Sequence, residues 1–139
     1  MPTILGVLET ALYVDEIHRS VEFYERVLGF PVLNAFDRLT SMRVAPNQVL
    51  LIIKKGSSVQ ATVLPFGTIP PTDGDGQLHV AFGIAPSELQ DWRAVLEAHA
   101  IAVESEFEWP EGGWSIYFRD PDNHIIELKT SDWDGSELG

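Results

Sequence analysis

One turn-and-strand segment occurs twice in this chain. Pro46-Asn47-Gln48-Val49-Leu50-Leu51-Ile52-Ile53-Lys54 lies over Pro121-Asp122-Asn123-His124-Ile125-Ile126-Glu127-Leu128-Lys129, with Pro46 opposite Pro121. A second pair precedes these: Glu9-Thr10-Ala11-Leu12-Tyr13-Val14 lies over His79-Val80-Ala81-Phe82-Gly83-Ile84. Self-similarity of this kind restricts the fold more than any local propensity does, because both copies must solve the same packing problem. Each copied segment reads as β. Asp120-Pro121-Asp122-Asn123 is turn chemistry, since Pro presets φ and Asp and Asn bond their own backbone. The polar exceptions fall at matching places. Glu9 stands opposite His79, and Ile52 opposite Glu127. A carboxylate in the middle of an apolar strand needs a partner, a proton or a metal.

The remaining elements complete two βαβββ modules. Alternation over 8–14 predicts a strand with Leu8, Leu12 and Val14 on one face and Glu9, Ala11 and Tyr13 on the other. A helix over 15–28 follows, with Ile17, Val21, Tyr24 and Leu28 as its stripe and Gly29 as its stop. Asp15 and Glu16 suit its first turn. Strands are expected over 30–37, 39–45 and 48–54. The second module repeats the plan: a strand over 78–84, a helix over 86–98 on Leu89, Trp92 and Leu96, and strands over 103–108, 114–119 and 123–129. Its loop is Trp109-Pro110-Glu111-Gly112-Gly113. The expected organisation is a single domain with module 1–56, linker 57–76 and module 77–131. The linker is rich in Gly, Ser, Pro and Thr and can fold over a site. Residues 131–139 read as a frayed tail on which Trp133 can dock.

The resulting fold class is α+β: two βαβββ modules in a curled, mostly antiparallel eight-stranded sheet around a central cleft, helices outside. In each first strand the apolar face belongs under the helix. Glu9 and His79 then point to the opposite face, followed by small residues. If the two halves curl toward one another, Glu9, His79, Ile52 and Glu127 converge, and three of the four can bind a cation. Two ionised carboxylates in one cleft repel, so a shared proton or a cation between them is expected.

Composition narrows the partners. A formal charge of −12 argues against nucleic acid and against an anionic membrane surface, both of which need a basic footprint. No run is long and apolar enough to span a bilayer. The chain has no Cys, which excludes thiolate chemistry and disulfides. A cytoplasmic protein is the expectation.

The chain resembles the vicinal oxygen chelate superfamily, also called the glyoxalase, bleomycin-resistance and dioxygenase superfamily. The residues carrying the likeness are Phe23-Tyr24 with Leu28-Gly29-Phe30, then Leu78-His79-Val80-Ala81-Phe82, then Tyr117-Phe118-Arg119-Asp120-Pro121-Asp122-Asn123-His124 with Ile126-Glu127-Leu128. The resemblance implies metal ligands on the first and last strand of each module, which fall here on Glu9, Ile52, His79 and Glu127. Glu9 stands where His is usual, and Ile52 cannot ligate. A Glu9, His79, Glu127 set for one divalent ion (Fe, Mn, Ni, Co or Zn) remains, with open positions for a chelating small-molecule substrate. It differs from the two-His, one-carboxylate set of extradiol dioxygenases. Lyase, isomerase and dioxygenase types of reaction are implied, with Glu127 or Glu9 able to serve as catalytic base. The alternative is a metal-free, drug-sequestering binding protein. A homodimer is implied, in some members with the cleft formed across chains.

Other candidates carry structural readings. His18 and His99 are expected to be exposed, and His124 to bond the turn. Tyr13, Phe36, Phe107, Trp109 and Trp114 can line a pocket or fill the core.

Overall fold

The structure, a computed structural model, describes residues 1–131. The expected docking of Trp133 lies outside the described residues. The chain divides into two compact units, Met1–Gly76 and Gln77 onward.

The first unit holds a four-stranded sheet in the order β1-β4-β3-β2, built from β1 (Glu9–Val14), β2 (Val32–Ala35), β3 (Leu39–Ala45) and β4 (Gln48–Lys54). The pairing of β1 with β4 is parallel; the other two are antiparallel. Helix α1 (Ile17–Leu28) makes the crossover that a parallel pair requires. It buries Ser20, Phe23, Tyr24, Val27 and Leu28, so Phe23 and Val27 join the expected stripe while Ile17 and Val21 lie at its margin. Gly29 ends it at φ 74°. The Gly29 N–H bonds Glu25 O and the Phe30 N–H bonds Tyr24 O, the paired closure of a left-handed helix cap. Asp15 lies before the helix and pairs with Lys55 at 3.2 Å. Leu8, expected on the buried face, precedes β1 and is 62% exposed.

The connector is more structured than its composition implied. It contains a two-stranded hairpin, β5 (Thr62–Leu64) with β6 (Gly67–Ile69). It then returns across the first sheet. Gly74 lies so close to Tyr13 that a Cβ there would stand 2.2 Å from the ring. Lys55 clamps the same return by reaching both Asp15 and Asp75. These contacts raise the Lys55 pKa, chiefly through Asp15, and the Asp75 carboxyl is held low by the Gly76 N–H and then by Lys55.

The second unit repeats the topology as β7-β10-β9-β8, with β7 (His79–Ile84), β8 (Ser105–Glu108), β9 (Trp114–Arg119) and β10 (Ile125–Thr130). A 3₁₀ turn, Pro86–Glu88, leads into α2 (Leu89–Ala98), so the α-helix starts three residues later than expected. Leu96 is its fully buried residue; Leu89 and Trp92 are half-buried. The single eight-stranded sheet of the sequence reading is therefore two separate four-stranded sheets. Each ladder is completed by its own parallel pair, β1 with β4 and β7 with β10, which ends hydrogen bonding at that strand.

Strand registers correct one detail of the repeat. Leu12 pairs with Ile52, and both are buried on the α1 side. Glu127 pairs with Ala81, which shares the face of His79. In the first sheet the counterpart of that pair is Ala11 with Leu51. The residue equivalent to Glu127 is thus Leu51, and Ile52 points into the core. The turns show why. Asn47 and Asn123 both adopt positive φ, 61° and 63°, so they are the true counterparts. Aligning Pro46 with Pro121 placed the last strands one residue out of step, and one residue reverses a strand face.

Candidate functional site

The face of the second sheet turned away from α2 gathers most of the unusual residues. Its members alternate along the strands as period two requires: His79, Ala81 and Gly83 on β7, Ile125, Glu127 and Lys129 on β10, and Ser115, Tyr117 and Arg119 on β9. The opposite face holds Ile116, Phe118, Ile126 and Leu128, all at or below 1% exposure.

His79 and Glu127 meet on this face. His79 Nε2 lies 3.2 Å from Glu127 Oε1, with the imidazole about half exposed and the carboxylate buried. Each is held from behind. His79 Nδ1 is 3.0 Å from the Ile125 carbonyl. A carbonyl only accepts, so Nδ1 carries a proton in this contact and Nε2 is the nitrogen that faces Glu127. Glu127 Oε2 accepts the Ser115 hydroxyl at 2.5 Å. Ser115 Oγ in turn accepts the Trp109 indole N–H at 2.8 Å. Nε2 and a carboxylate oxygen thus face one another at contact distance. That arrangement is favourable only with a cation between or beside them, whether a proton or a metal ion. The donor set fits a divalent transition metal.

An aromatic wall flanks the pair. The Tyr117 ring lies 6.3 Å from the His79 ring and stacks on Phe107 at 5.8 Å, and Phe107 meets Trp109 edge-on at 4.8 Å. Burial, and after it the Glu127 charge, hold the Tyr117 phenol above its usual pKa. Lys129 Nζ sits 4.7 Å over the Trp109 ring. At the other end Arg119 binds Glu104, the Gln77 amide and the Asn123 carbonyl. Glu104 raises the Arg119 pKa, and Arg119 lowers that of Glu104.

The Asp120–His124 turn supports β7 from beneath. Asp120 Oδ1 accepts the N–H groups of Asp122 and His124, both at 2.9 Å. His124 bonds the turn through its backbone N–H, and its fully buried ring accepts the Leu78 N–H at Nδ1, 2.9 Å away. His124 therefore fixes the residue that introduces His79.

The other sequence candidates separate by location. Glu9 opens β1 in the first unit, exposed, in the register that His79 holds in the second. Among the described residues no three His, Asp or Glu side chains gather closely enough to hold a metal ion. Trp114 faces α2, where Arg93 covers its ring at 5.3 Å. It lines, with Leu89, Glu108, Glu111 and Thr130, a hollow of about 330 Å³ on the side of the sheet away from His79 and Glu127. Tyr13 is buried beneath Gly74, and Phe36 is 66% exposed. His18 is exposed, whereas His99 is half-buried with Nδ1 2.9 Å from the Val95 carbonyl. Sequence reasoning missed Ser115 as the partner of Glu127. Strand parity together with the β9–β10 pairing points to it, since Ser115, Tyr117 and Glu127 then share a face.

With this architecture established, its class is defined. The chain belongs to the Glyoxalase/Bleomycin resistance protein/Dioxygenase superfamily, whose profile matches residues 6–128. Among solved structures it resembles lactoylglutathione lyase from Agrobacterium tumefaciens, with TM-score 0.83 and 30% identity over 94% of this chain and 96% of that one. It is 25% identical over 128 residues to metallothiol transferase FosB of Staphylococcus epidermidis, covering 91% of this chain and 84% of that protein. It is also 32% identical over 119 residues to catechol-2,3-dioxygenase of Bacillus subtilis, covering 84% of this chain and 38% of that longer protein.

Proposed function

We propose that this protein is a divalent-metal-dependent enzyme of the superfamily, of lyase, isomerase or dioxygenase type, acting on a small molecule that chelates the ion. The observation that carries the reading is the His79–Glu127 pair: Nε2 and Oε1 lie 3.2 Å apart, each fixed by a hydrogen bond behind it. Metal-ligating histidines characteristically give their second ring N–H to a carbonyl or carboxylate, as His79 does to Ile125. Glu9 is the third ligand in this proposal, since it holds the His79 register in the first unit. Two carboxylates and a neutral imidazole bring charge −2, which a divalent ion offsets. Leu51, at the register of Glu127, supplies no fourth donor, and a catalytic site needs such an opening.

When bound, the ion supplies Lewis acidity toward adjacent substrate oxygens. The chain's own residues do the rest. Glu127 accepts a proton at Oε1, the oxygen not engaged by Ser115. The Tyr117 hydroxyl, within hydrogen-bonding reach of Glu127 and Ser115, helps hold that carboxylate in place. Phe107 and Trp109 supply an apolar wall that excludes water. The names of the relatives agree with such chemistry, being a lyase, a metallothiol transferase and a dioxygenase. A cytoplasmic homodimer completes the reading; a monomer mass by light scattering at micromolar concentration would count against the pairing.

A second reading, a metal-free binding protein, draws on the same aromatic wall of Phe107, Trp109 and Tyr117. Metal analysis separates the two. Protein purified without chelator should carry close to one equivalent of metal per chain, or regain it from Mn²⁺, Fe²⁺, Co²⁺, Ni²⁺ or Zn²⁺. Failure to take up any of these favours the second reading.

A further inference from the structure

We infer that Ser115 and Trp109 are positioning residues that act in series to orient Glu127 toward the ion. This rests on the metal-dependent reading of the same site. The direction of the hydrogen bonds follows from donor chemistry. An indole nitrogen donates and cannot accept. In the Trp109–Ser115 contact of 2.8 Å, Ser115 Oγ therefore accepts. A hydroxyl that rotates to suit its neighbours then has one proton to give, and it points to Glu127 Oε2 at 2.5 Å. The indole thereby sets the hydroxyl, and the hydroxyl sets the carboxylate. Oε2 is occupied, Oε1 is left for His79 Nε2, and the carboxylate plane is fixed.

Each member of the series is immobilised in turn. Ser115 is fully buried and sits on β9, between its pairing partners on β8 and β10. Trp109 is held by Lys129 over its face, by the Phe107 ring at its edge, and by two backbone bonds that close the loop, its N–H to Gly113 O and the Gly112 N–H to its own carbonyl. The loop needs Gly at 112 and 113, whose φ values are 103° and 90°. The Trp109–Gly113 loop is thus an anchor for Glu127, in addition to joining two strands. Groups behind a metal ligand typically contribute about 10–100-fold in affinity.

The test is titration of the metal-free full chain with Co²⁺, followed by visible absorption, with Mn²⁺ binding by calorimetry as a second probe. Ser115→Ala should raise the Kd by roughly 10–100-fold and change the Co²⁺ band positions, while melting of the metal-free protein stays cooperative. Trp109→Phe keeps the apolar ring and removes the N–H, so it should weaken binding to a smaller degree. The double variant decides the order of action. With the hydroxyl gone, the indole N–H has no route to Glu127, so adding Trp109→Phe should change the Kd by less than about twofold. Losses that multiply would overturn the series, because the two residues would then act independently. Wild-type affinity and spectrum in Ser115→Ala would overturn it as well. Should Ser115→Ala fail to fold, Trp109→Phe alone decides: weaker Co²⁺ binding upholds the relay and unchanged binding overturns it. A wild-type protein that binds neither ion removes the metal reading itself and the relay's role with it, a result distinct from binding that the variants leave untouched.

Discussion

Position by position, the open face of the first sheet carries Glu9, Ala11, Tyr13 and Leu51 where that of the second carries His79, Ala81, Gly83 and Glu127. The helix-facing sides are alike in being mainly apolar and largely buried. The open faces have diverged. In the first unit a ring at position 13 is covered by Gly74 of the returning connector, and position 51 is a leucine. In the second, position 83 has no side chain and position 127 is a carboxylate with its own hydrogen-bonded support. One copy of the plan has been filled and the other left polar and open. Packing is thus shared between the repeats, and chemistry is concentrated in one of them.

The strongest way to break this comparison is at His79. His79→Ala should abolish stoichiometric metal uptake while the fold persists, because its side chain lies on the open face and contributes nothing to the core. Retained occupancy, measured by metal analysis, would remove the functional contrast between the sheets. In wild type, stripping the metal should lower the melting temperature, since an ion bound only by the folded state stabilises it by mass action.

Next in size is a test of faces. Ile52→Ala should cost about 2–5 kcal/mol in urea unfolding, as for a fully buried aliphatic, and Leu51→Ala distinctly less. Equal costs would show that the Leu51–Glu127 equivalence is wrong.

Smaller still is the contrast between Gly74 and Gly83. A methyl at Gly74 meets the Tyr13 ring at 2.2 Å, so Gly74→Ala should destabilise by about 1–3 kcal/mol. At Gly83 an added Cβ has as its nearest neighbour the Ser131 Cβ at 3.9 Å, so Gly83→Ala should be close to neutral. Equal effects in thermal melts would mean that the first face is no more filled than the second.

The subtlest effect is in the titration of Tyr117. Its folded pKa lies above the ordinary phenol value, through burial first and Glu127 second. The folded state therefore keeps the proton longer. The contribution is fully present below the ordinary phenol pKa and is lost as pH rises through the folded value. In ultraviolet titration the Tyr117 component, taken as the difference from Tyr117→Phe, should ionise late, and Glu127→Gln should bring it part of the way back. No change on that substitution would detach Tyr117 from the site.

Much of the fold was legible before any coordinates. The repeat, the turn residues and the period-two alternation located eight of the strands, with β3, β4 and β9 at their observed ends. The connector hairpin was not legible. Its strands are three residues long and lie among turn formers, too short for any periodicity to register. The site was half legible. Glu9 and His79 were matched correctly because strand parity is a local property. The first-sheet counterpart of Glu127 is Leu51 and not Ile52, because identical residues in two turns, Pro46 and Pro121, do not occupy the same place in each.

What the sequence by itself determined was the module, its repetition and the polar residues that have no place in a core. These follow from local rules: side-chain period, turn dihedrals and helix stops. Tertiary structure decided which oxygen of Glu127 meets Ser115 and which meets His79, which nitrogen of His79 faces Glu127, and that Leu51 faces the way Glu127 does. Each depends on register between strands distant in sequence, and on hydrogen bonds from Ser115, Trp109 and the Ile125 carbonyl. Such choices are worth too little individually to leave a mark on composition or periodicity, and they become definite only when the strands pair.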